Sequence, residues 1–205
     1  MNDPHAPGLP IDAGDGATLA IDPVTGTAVV MRGGRLQRIL SFDEALLLSV
    51  QRFRGPWRTT VAQTLTSLGD ARSWTIAGLG LLATMTPRGV HLGLRLAAAT
   101  GIATLLSQAL KRSLTRARPD SAIVGFEALA ANPDQFSFPS GHTAAAMAVA
   151  VAFAGEPFGL GPLALLLGVG IGLSRVYLGA HYPLDVAAGG FLGVFGGLAA
   201  RLLVS

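Results

Sequence analysis

The chain has 205 residues, of which 50% are hydrophobic and 13% are charged, and its formal net charge is +3. Soluble proteins carry about 25% charged residues, so this chain has too few ionic groups to cover the surface of a water-soluble globule. High hydrophobicity excludes a disordered chain. The small net charge argues against nucleic-acid binding, which requires a dense basic stripe. The absence of cysteine excludes disulfide scaffolds and thiolate metal sites.

Residues 1–40 form a polar N-terminal extension. Residues 1–16 are rich in Pro, Gly and Asp and are typical of a flexible tail. Within residues 17–31, two short β-prone runs flank a turn sequence that contains Pro23 and Gly26, which predicts a hairpin. Because an isolated hairpin is marginally stable in water, a leader without regular structure is an equal alternative. The chain does not open with the apolar region of a cleavable signal peptide.

Two amphipathic helices are predicted within residues 42–68, at the start of a membrane domain that covers residues 41–205. Ser41 with Glu44 has the spacing of a capping box, which predicts that the first helix starts at Ser41. The second helix begins near Trp57. Both are too short and too polar to cross a bilayer, so we expect them to lie at the interface, with Trp57 and the arginines at headgroup depth. The alternative is a small soluble subdomain packed on the membrane part.

Five uncharged or nearly uncharged apolar stretches follow between about residues 71 and 205. They are Ser73–Thr86, Leu96–Leu110, Thr143–Gly155, Leu160–Leu173 and Val186–Ala200. Each is shorter than the roughly 20 residues of a spanning helix, but flanking residues can lengthen it. Glycines spaced four residues apart in the last two stretches allow close helix packing in lipid. We therefore predict an all-α fold, an integral-membrane bundle of about five transmembrane helices.

The first polar cluster, residues 111–119, directly follows an apolar stretch. Arg118 lies seven residues after Lys111, which is two helical turns along one face. Pro119 biases the backbone of Arg118 towards an extended conformation. The two cations can bind phosphate oxygens. The alternative is a basic patch that binds lipid headgroups.

The second polar cluster, residues 138–143, immediately precedes an apolar stretch. Ser140 and Gly141 would place a hydroxyl and backbone N–H groups at a helix N-terminus, where anions bind well. His142 follows them and can donate a proton to a group bound there. The alternative is a serine cap beside an incidental histidine.

The third polar cluster, residues 174–185, joins two apolar stretches. Arg175 ends the first, and Pro183 is suited to the first position of the next helix. Asp185 follows His181 by four residues, so its carboxylate can reach one ring nitrogen. Such a contact fixes the tautomer and leaves the other nitrogen as a nucleophile. Ionisable groups at a membrane boundary are costly, which favours a functional role.

Together, the three clusters contain the groups that phosphoryl transfer requires. Lys111, Arg118 and Arg175, with a helix N-terminus, can hold the phosphate oxygens. One histidine can attack phosphorus while the other protonates the leaving oxygen. Because Asp185 is the only carboxylate near the two histidines in the sequence, we expect no metal site and no cofactor, with the cations neutralising charge instead.

This ordered pattern resembles the type-2 phosphatidic-acid phosphatase family, whose superfamily also includes vanadium-dependent haloperoxidases. The resemblance covers about residues 42–205 and rests on the following residues: Lys111, Arg118, Pro119, Pro139, Ser140, Gly141, His142, Ser174, Arg175, His181 and Asp185. It implies a helical membrane hydrolase that removes phosphate from lipids without a metal.

The resemblance also implies a role for each matching residue. His181 would form a phosphohistidine intermediate, and Asp185 would orient His181. His142 would be the general acid and then the base that activates water. The phosphate-binding residues would be Lys111, Arg118, Ser140, Gly141 and Arg175. The implied substrate is phosphatidate or a polyprenyl-linked phosphate. A polyprenyl diphosphate phosphatase is an alternative within the class, and a non-catalytic protein that binds or moves anionic lipids is an alternative outside it.

Charge distribution predicts the membrane face of the site. Bacterial family members commonly have six membrane helices, and residues 1–40 offer no first span, so we expect five, with the three motifs on the face of the N-terminus. Outside the motifs, that face carries the larger share of arginines, namely Arg32, Arg35, Arg38, Arg52, Arg54, Arg58 and Arg72. The opposite face carries Arg88, Arg95 and Arg201. The excess predicts a site that faces the cytoplasm, in a bacterial inner membrane.

The expected partners are a lipid phosphate and the bilayer, with no nucleic acid. A homo-oligomer remains open, because the glycine faces can pack helices within one subunit or between two.

Overall fold

The computed structural model describes residues 17–21, 28–32, 35–130 and 134–205. Strands β1 (Ala17–Ile21) and β2 (Ala28–Arg32) pair antiparallel, with Ala17 opposite Arg32. The predicted tail (1–16) and the predicted turn between the strands lie outside the described residues. The chain divides into two compact units, one up to Glu44 and one from Ala45 onward.

Helix α1 (Arg35–Gln51) begins six residues before the predicted cap, so the capping-box prediction at Ser41 is wrong. Ser41 lies inside the helix, where its hydroxyl donates a 2.9 Å hydrogen bond to the carbonyl of Arg38. A serine within a helix commonly bonds to the preceding turn in this way. The box sequence therefore does not mark the helix start here.

Helices α2 (Pro56–Leu68) and α3 (Ala71–Ala83) are joined by Gly69 and Asp70. Helix α2 starts with proline at its first position, as is common for helices. Its outer face exposes Trp57 and Val61, while Ala62 is buried against the rest of the second unit. The short junction between α2 and α3 places Asp70 at the candidate site.

The helices of the bundle are α4 (Pro87–Ser113), α6 (Gly141–Ala152), α7 (Leu160–Tyr177) and α8 (Pro183–Leu203). Helix α3 packs along α4, and α6 lies centrally, in contact with α4, α7 and α8. A short helix, α5 (Pro119–Ala122), follows α4, and a single 3-10 turn precedes α7. The core consists mostly of alanine and leucine side chains from α4, α6 and α8.

Small residues allow α6 and α8 to approach closely. A Cβ atom at Gly189 would lie 2.4 Å from the carbonyl oxygen of Ser140, and one at Gly193 would lie 2.5 Å from that of Ala144. Both positions therefore exclude any larger residue without movement of the backbone. The predicted glycine face of the last helix packs within the subunit, and it fixes the start of α6 against the start of α8.

Within the part of the chain that the structure describes, three helices are long and apolar enough to span a membrane: Pro87–Ser113, Pro157–Tyr177 and Pro183–Leu203. Helix α6 is apolar but has 12 residues, and α3 has 13. The all-helical membrane bundle is thus confirmed. Each of these two shorter helices ends at a turn, at residues 153–155 after α6 and at residues 84–86 after α3. Apolar side chains such as Leu94, Leu166 and Leu202 are exposed on the outside of the three long helices, as expected for a surface that faces lipid.

Candidate active site

Four helix ends meet at one end of the bundle and bring the three polar clusters together. Helix α4 ends just beyond Lys111, α7 ends just beyond Arg175, α6 begins at Gly141, and α8 begins at Pro183. The cations at two helix C-termini therefore lie beside the first turns of two other helices. The positive end of a helix favours an anion, and the cations add to that effect.

The three predicted phosphate-binding cations are buried around one cavity. Lys111, Arg118 and Arg175 are at most 6% exposed, and all three line the cavity. The Arg118 side chain is held by a backbone carbonyl, since one terminal nitrogen donates to the carbonyl of Ala180 at 2.7 Å. Arg175 donates to the hydroxyl of Thr66 on α2 at 2.7 Å. A buried cation is stable only with partners of this kind. The burial of these three cations therefore makes the polar end of the cavity positively charged.

Asp134 is the acidic partner of two of these cations. Its Oδ2 lies 2.6 Å from Nζ of Lys111, and its Oδ1 accepts a hydrogen bond from Arg118. Burial of Asp134 favours a raised pKa, but the hydrogen bonds and charges of Lys111 and Arg118 outweigh it and hold that pKa below the ordinary value. Asp134 is therefore ionised at neutral pH. It belongs to none of the three motifs.

His181 is almost completely buried, and its Nδ1 lies 3.7 Å from Oδ2 of Asp185. That separation is longer than a hydrogen bond, and the Nδ1 atom has no hydrogen-bond partner among the described residues. The carboxylate therefore lies close to the ring, as predicted, but it does not form a hydrogen bond with Nδ1. His181 also borders the cavity.

Asp185 is held by other donors, which explains the long distance to His181. Its Oδ2 accepts from the backbone N–H of Tyr182 at 2.9 Å, and its Oδ1 lies 2.8 Å from a terminal nitrogen of Arg116. The Arg116 guanidinium also stacks on the ring of Tyr182, 3.8 Å from its centre. The carboxylate thus caps the first turn of α8 and is neutralised by Arg116.

Burial is the largest influence on the ionisation of His181. Together with the positive charges of Arg175 and Arg118, and against the opposing effect of Asp185, burial lowers the pKa of His181 to about 4. The imidazole is therefore neutral at physiological pH and keeps a lone pair. A neutral imidazole facing a cationic cavity is the protonation state that nucleophilic attack requires.

His142 lies at the start of α6, and its Nε2 is 2.7 Å from Oδ1 of Asp70. The two histidines border the same cavity, so they occupy one end of the bundle. His142 is more accessible than His181, with 21% of its side chain exposed. The second histidine of the site thus also has a carboxylate beside it, supplied by the junction of α2 and α3.

Ser140 and Gly141 form the N-terminus of α6 as predicted, although the serine hydroxyl does not cap the helix. Its Oγ accepts a hydrogen bond from the hydroxyl of Thr143 at 3.0 Å, and its backbone N–H donates to the carbonyl of Asp185 at 3.0 Å. Ser140 is fully buried, whereas Gly141 borders the cavity. Of these two residues, Gly141 is therefore the one that can contact a group in the cavity.

The cavity has a volume of about 670 Å³ and two chemically different parts. The polar part contains the three cations and both histidines. The other part runs between α3 and α4 and is lined by apolar or small residues that include Trp74, Leu79, Leu82, Leu96, Gly101 and Leu105. A polar cup joined to an apolar groove is suited to an amphiphilic ligand with an anionic head.

Comparison with known proteins now identifies the family. The family model described as "PAP2 superfamily" matches residues 92–205, a range that contains all three clusters. The chain belongs to the PAP2 superfamily. The family predicted from the motifs is thereby confirmed, as is the prediction of a membrane-bound phosphatase of the lipid-phosphate class.

Three similar proteins support this assignment. A decaprenylphosphoryl-5-phosphoribose phosphatase of Mycobacterium tuberculosis is 36% identical over 139 residues, which cover 67% of this chain and 76% of the relative. Phosphatidylglycerophosphatase B of Bacillus subtilis is 33% identical over 171 residues, which cover 76% of this chain and 80% of the relative. The crystal structure of a transmembrane PAP2-type phosphatidylglycerolphosphate phosphatase from B. subtilis is 30% identical and has a TM-score of 0.65, covering 81% and 86% of the two chains.

Three charged residues of this PAP2 site were not selected from the sequence: Asp70, Arg116 and Asp134. Arg116 lies within the first basic cluster, and its position two residues before Arg118 could have marked it. Asp134 lies four residues before Phe138 in the segment that leads to the second cluster, where an isolated acidic residue gives no distinct signal. Asp70 lies 72 residues before His142. No spacing rule connects such distant residues.

Proposed function

We propose that this PAP2 protein hydrolyses the phosphomonoester of a lipid phosphate, without a metal, through a phosphohistidine formed on His181. The observation that carries the proposal is the cavity itself, where a neutral buried imidazole faces three cations at the mouth of an apolar groove. A phosphate group fits the polar part, and its lipid chain fits the groove.

In the first step, Nε2 of His181 attacks phosphorus in line with the bond to the lipid oxygen. The P–N bond forms as the P–O bond breaks, and His142 gives its proton to the departing lipid alkoxide. In the second step, neutral His142 removes a proton from a water molecule, which attacks the phosphohistidine. Inorganic phosphate leaves, and both histidines return to their starting protonation states.

Lys111, Arg118 and Arg175 would neutralise the charge that spreads over the three equatorial oxygens in each transition state, and the backbone N–H of Gly141 would add a hydrogen bond. Ser140 would support this turn through its bonds to Thr143 and Asp185. Three side-chain cations can supply the electrostatic stabilisation that metal ions supply in other phosphoryl-transfer enzymes. We therefore propose that no metal and no cofactor is required.

Asp185 would stabilise the positive charge that develops on the His181 ring after attack. Its carboxylate lies 3.7 Å from Nδ1, so a small rotation of the ring brings the two atoms within hydrogen-bond distance. Arg116 and the Tyr182 N–H hold the carboxylate still while this happens. The favoured tautomer then carries its proton on Nδ1 and its lone pair on Nε2.

For the substrate, we propose a monoester such as phosphatidate or a polyprenyl-linked phosphate. The mycobacterial relative is named for decaprenylphosphoryl-5-phosphoribose, a polyprenyl-linked sugar phosphate, and the B. subtilis relative is named for phosphatidylglycerophosphate, a glycerolipid. A polyprenyl diphosphatase is the second candidate, because the cup can bind a terminal phosphate in either compound. A non-catalytic lipid-binding protein is less well supported, because simple binding of an anion has no need for a buried histidine and carboxylate pair.

The decisive experiment measures phosphate release by the purified protein in detergent with EDTA present. The panel contains phosphatidate, polyprenyl phosphates and diphosphates, and lipid-linked sugar phosphates. We expect turnover of at least one monoester in EDTA, inhibition by vanadate, and loss of turnover in His181→Ala. Activity that appears only with Mg²⁺, or a His181→Ala protein that retains the parent rate, would contradict the mechanism. Preference for diphosphates would favour the second candidate.

We further propose that the site faces the cytoplasm in a bacterial inner membrane. Arginines outside the motifs are more frequent at the end of the bundle that carries the site, where Arg54, Arg58 and Arg72 lie, and such an excess marks the cytoplasmic side. Helix α8 starts at the site and ends at the opposite face, so an alkaline phosphatase fused after Ser205 should be active outside the cytoplasm. An inactive fusion, with an active fluorescent protein at the same position, would reverse the orientation.

A further inference from the structure

The carboxylate of Asp134 occupies the space between two of the proposed phosphate-binding cations. One oxygen lies 2.6 Å from Nζ of Lys111, and the other accepts a hydrogen bond from the guanidinium of Arg118. The backbone carbonyl of Asp134 also accepts from Nε of Arg118 at 2.8 Å. In the structure, Asp134 therefore engages the two cations of the first cluster together.

This contact uses the same cations that the proposed phosphate would use. Two oxygens of one anionic group reach two neighbouring cations, as two phosphate oxygens do in charge-assisted binding. Lys111 and Arg118 are 6% and 4% exposed, and both border the cavity together with Asp134. A phosphate in the cavity that binds both cations therefore competes with the Asp134 carboxylate for their donor groups.

The side chain of Asp134 has space to move away from Lys111 and Arg118. One third of its side chain is exposed, and Asp134 and Arg118 border two cavities at once. The first contains both histidines, and the second is a polar cavity of about 860 Å³ bounded by residues that include Thr115, Asp120 and Gln135. The carboxylate can therefore turn away from the histidines and into a polar, open space.

We propose that Asp134 competes with phosphate for Lys111 and Arg118. Its carboxylate leaves both cations when the substrate phosphate binds, and it returns to them as inorganic phosphate departs. Asp134 thus lowers the affinity of the site for the product and partly neutralises two buried cations between turnovers. This inference rests on the proposed phosphatase function, since it assigns the same cations to phosphate.

The test compares the affinity of wild-type protein and Asp134→Asn for inorganic phosphate, by titration calorimetry in detergent micelles. The amide keeps the shape of the side chain and removes its charge, so we expect Asp134→Asn to bind phosphate at least tenfold more tightly. The matched control is Asp120→Asn, which removes the same charge from the wall of the polar cavity at an exposed position. Its affinity for phosphate should stay within twofold of the wild type.

Loss of the carboxylate leaves two buried cations without their acidic partner, so Asp134→Asn is expected to unfold at a lower temperature. Added phosphate should restore stability, and the gain in Tm should exceed that of the wild type, because a ligand stabilises in proportion to the logarithm of its affinity. This thermal measurement, repeated with Asp134→Ser, serves if the first variant is too unstable for calorimetry.

The outcomes separate the two proposals. Phosphate affinity that is unchanged or weaker in Asp134→Asn and Asp134→Ser would mean that Asp134 braces the cations, and the competition would be overturned while the phosphatase proposal stands. A wild-type protein and variants that all fail to bind phosphate and vanadate would overturn the phosphate site, and the role of Asp134 with it.

Discussion

The Asp70 carboxylate and the His142 imidazole lie 2.7 Å apart, measured between Oδ1 and Nε2. Asp70 precedes the first residue of α3, and His142 is the second residue of α6, so the contact joins two helix N-termini. Each histidine of the site consequently has a carboxylate neighbour, Asp185 for His181 and Asp70 for His142. A carboxylate beside a ring nitrogen orients the imidazole and stabilises its protonated form.

We predict that Asp70→Asn lowers kcat about tenfold, a part of the 10²–10⁴-fold that general acid–base catalysis contributes. Without the carboxylate, protonated His142 loses its proton at lower pH, so the alkaline limb of the kcat profile should move to lower pH. Profiles of wild type and variant, measured on one lipid phosphate in micelles, test this. Asp120→Asn is the control for loss of one charge, and a uniformly lower kcat with an unmoved limb would contradict the prediction.

The two histidines can be separated kinetically with p-nitrophenyl phosphate, a soluble ester whose leaving group needs no proton. His142→Ala should still be phosphorylated on His181, but it lacks the base for hydrolysis. We expect a burst of about one nitrophenolate per protein and a phosphoenzyme that is stable in base and labile in acid. His181→Asn should give no burst. A burst that persists in His181→Asn would show that another residue is the nucleophile.

Helix ends and local spacing explain why so much of the site could be predicted. Asp185 follows His181 by four residues across the start of α8, so local spacing brings these two together. Arg118 lies five residues beyond the end of α4, so the prediction that it shares a helix face with Lys111 is wrong, whereas the extended backbone predicted from Pro119 is found. Apolar stretches fix which ends of the helices point the same way. Five apolar stretches correspond to α3, α4, α6, α7 and α8, and the polar clusters between them had to collect at one end of the bundle.

Contacts between distant segments could not be predicted, because they depend on the packing of whole helices. Asp70 and His142 are 72 residues apart, and Arg116 and Asp185 are 69 residues apart. The second contact also changed the expected geometry, since Arg116 and the Tyr182 N–H hold Asp185 at 3.7 Å from the His181 ring. Local spacing therefore predicted that Asp185 lies beside the His181 ring. The contacts made by tertiary packing determine that the two do not form a hydrogen bond.

Ionisation of His181 gives a prediction that does not depend on substrate. Because burial lowers its pKa to about 4, the ring should stay neutral throughout the range from about pH 5 to 8. Nitrogen chemical shifts of ¹⁵N-histidine protein in micelles should show one imidazole that titrates near pH 4, and that signal should be absent from His181→Asn. A midpoint of His181 near the ordinary value of about 6.5 would mean that the ring is not desolvated.

The same shift has a consequence for stability. Below about pH 6.5 the unfolded chain binds a proton at His181, while the folded protein does not until the pH approaches 4. The free energy of unfolding should therefore fall as the pH is lowered from about 6.5 to 4, and His181→Asn should lose this part of the pH dependence. Denaturant titrations at pH 7 and pH 5 for both proteins measure it, and an equal decline in both would exclude His181 as its source.

The groove between α3 and α4 can be tested at Gly101, which borders the cavity and where an added Cβ atom would meet nothing within 4 Å. Gly101→Phe should therefore fold normally and fill the apolar part of the cavity. We expect KM for a long-chain lipid phosphate to rise about tenfold or more, since several buried methylene groups at about 0.8 kcal/mol each lose their place. Turnover of p-nitrophenyl phosphate, which has no lipid chain, should be unchanged.

Gly80→Phe is the matched control for Gly101→Phe, because Gly80 is exposed on α3, has the same open surroundings and does not border the cavity. An equal effect of both substitutions, or none at Gly101, would place the lipid chain elsewhere.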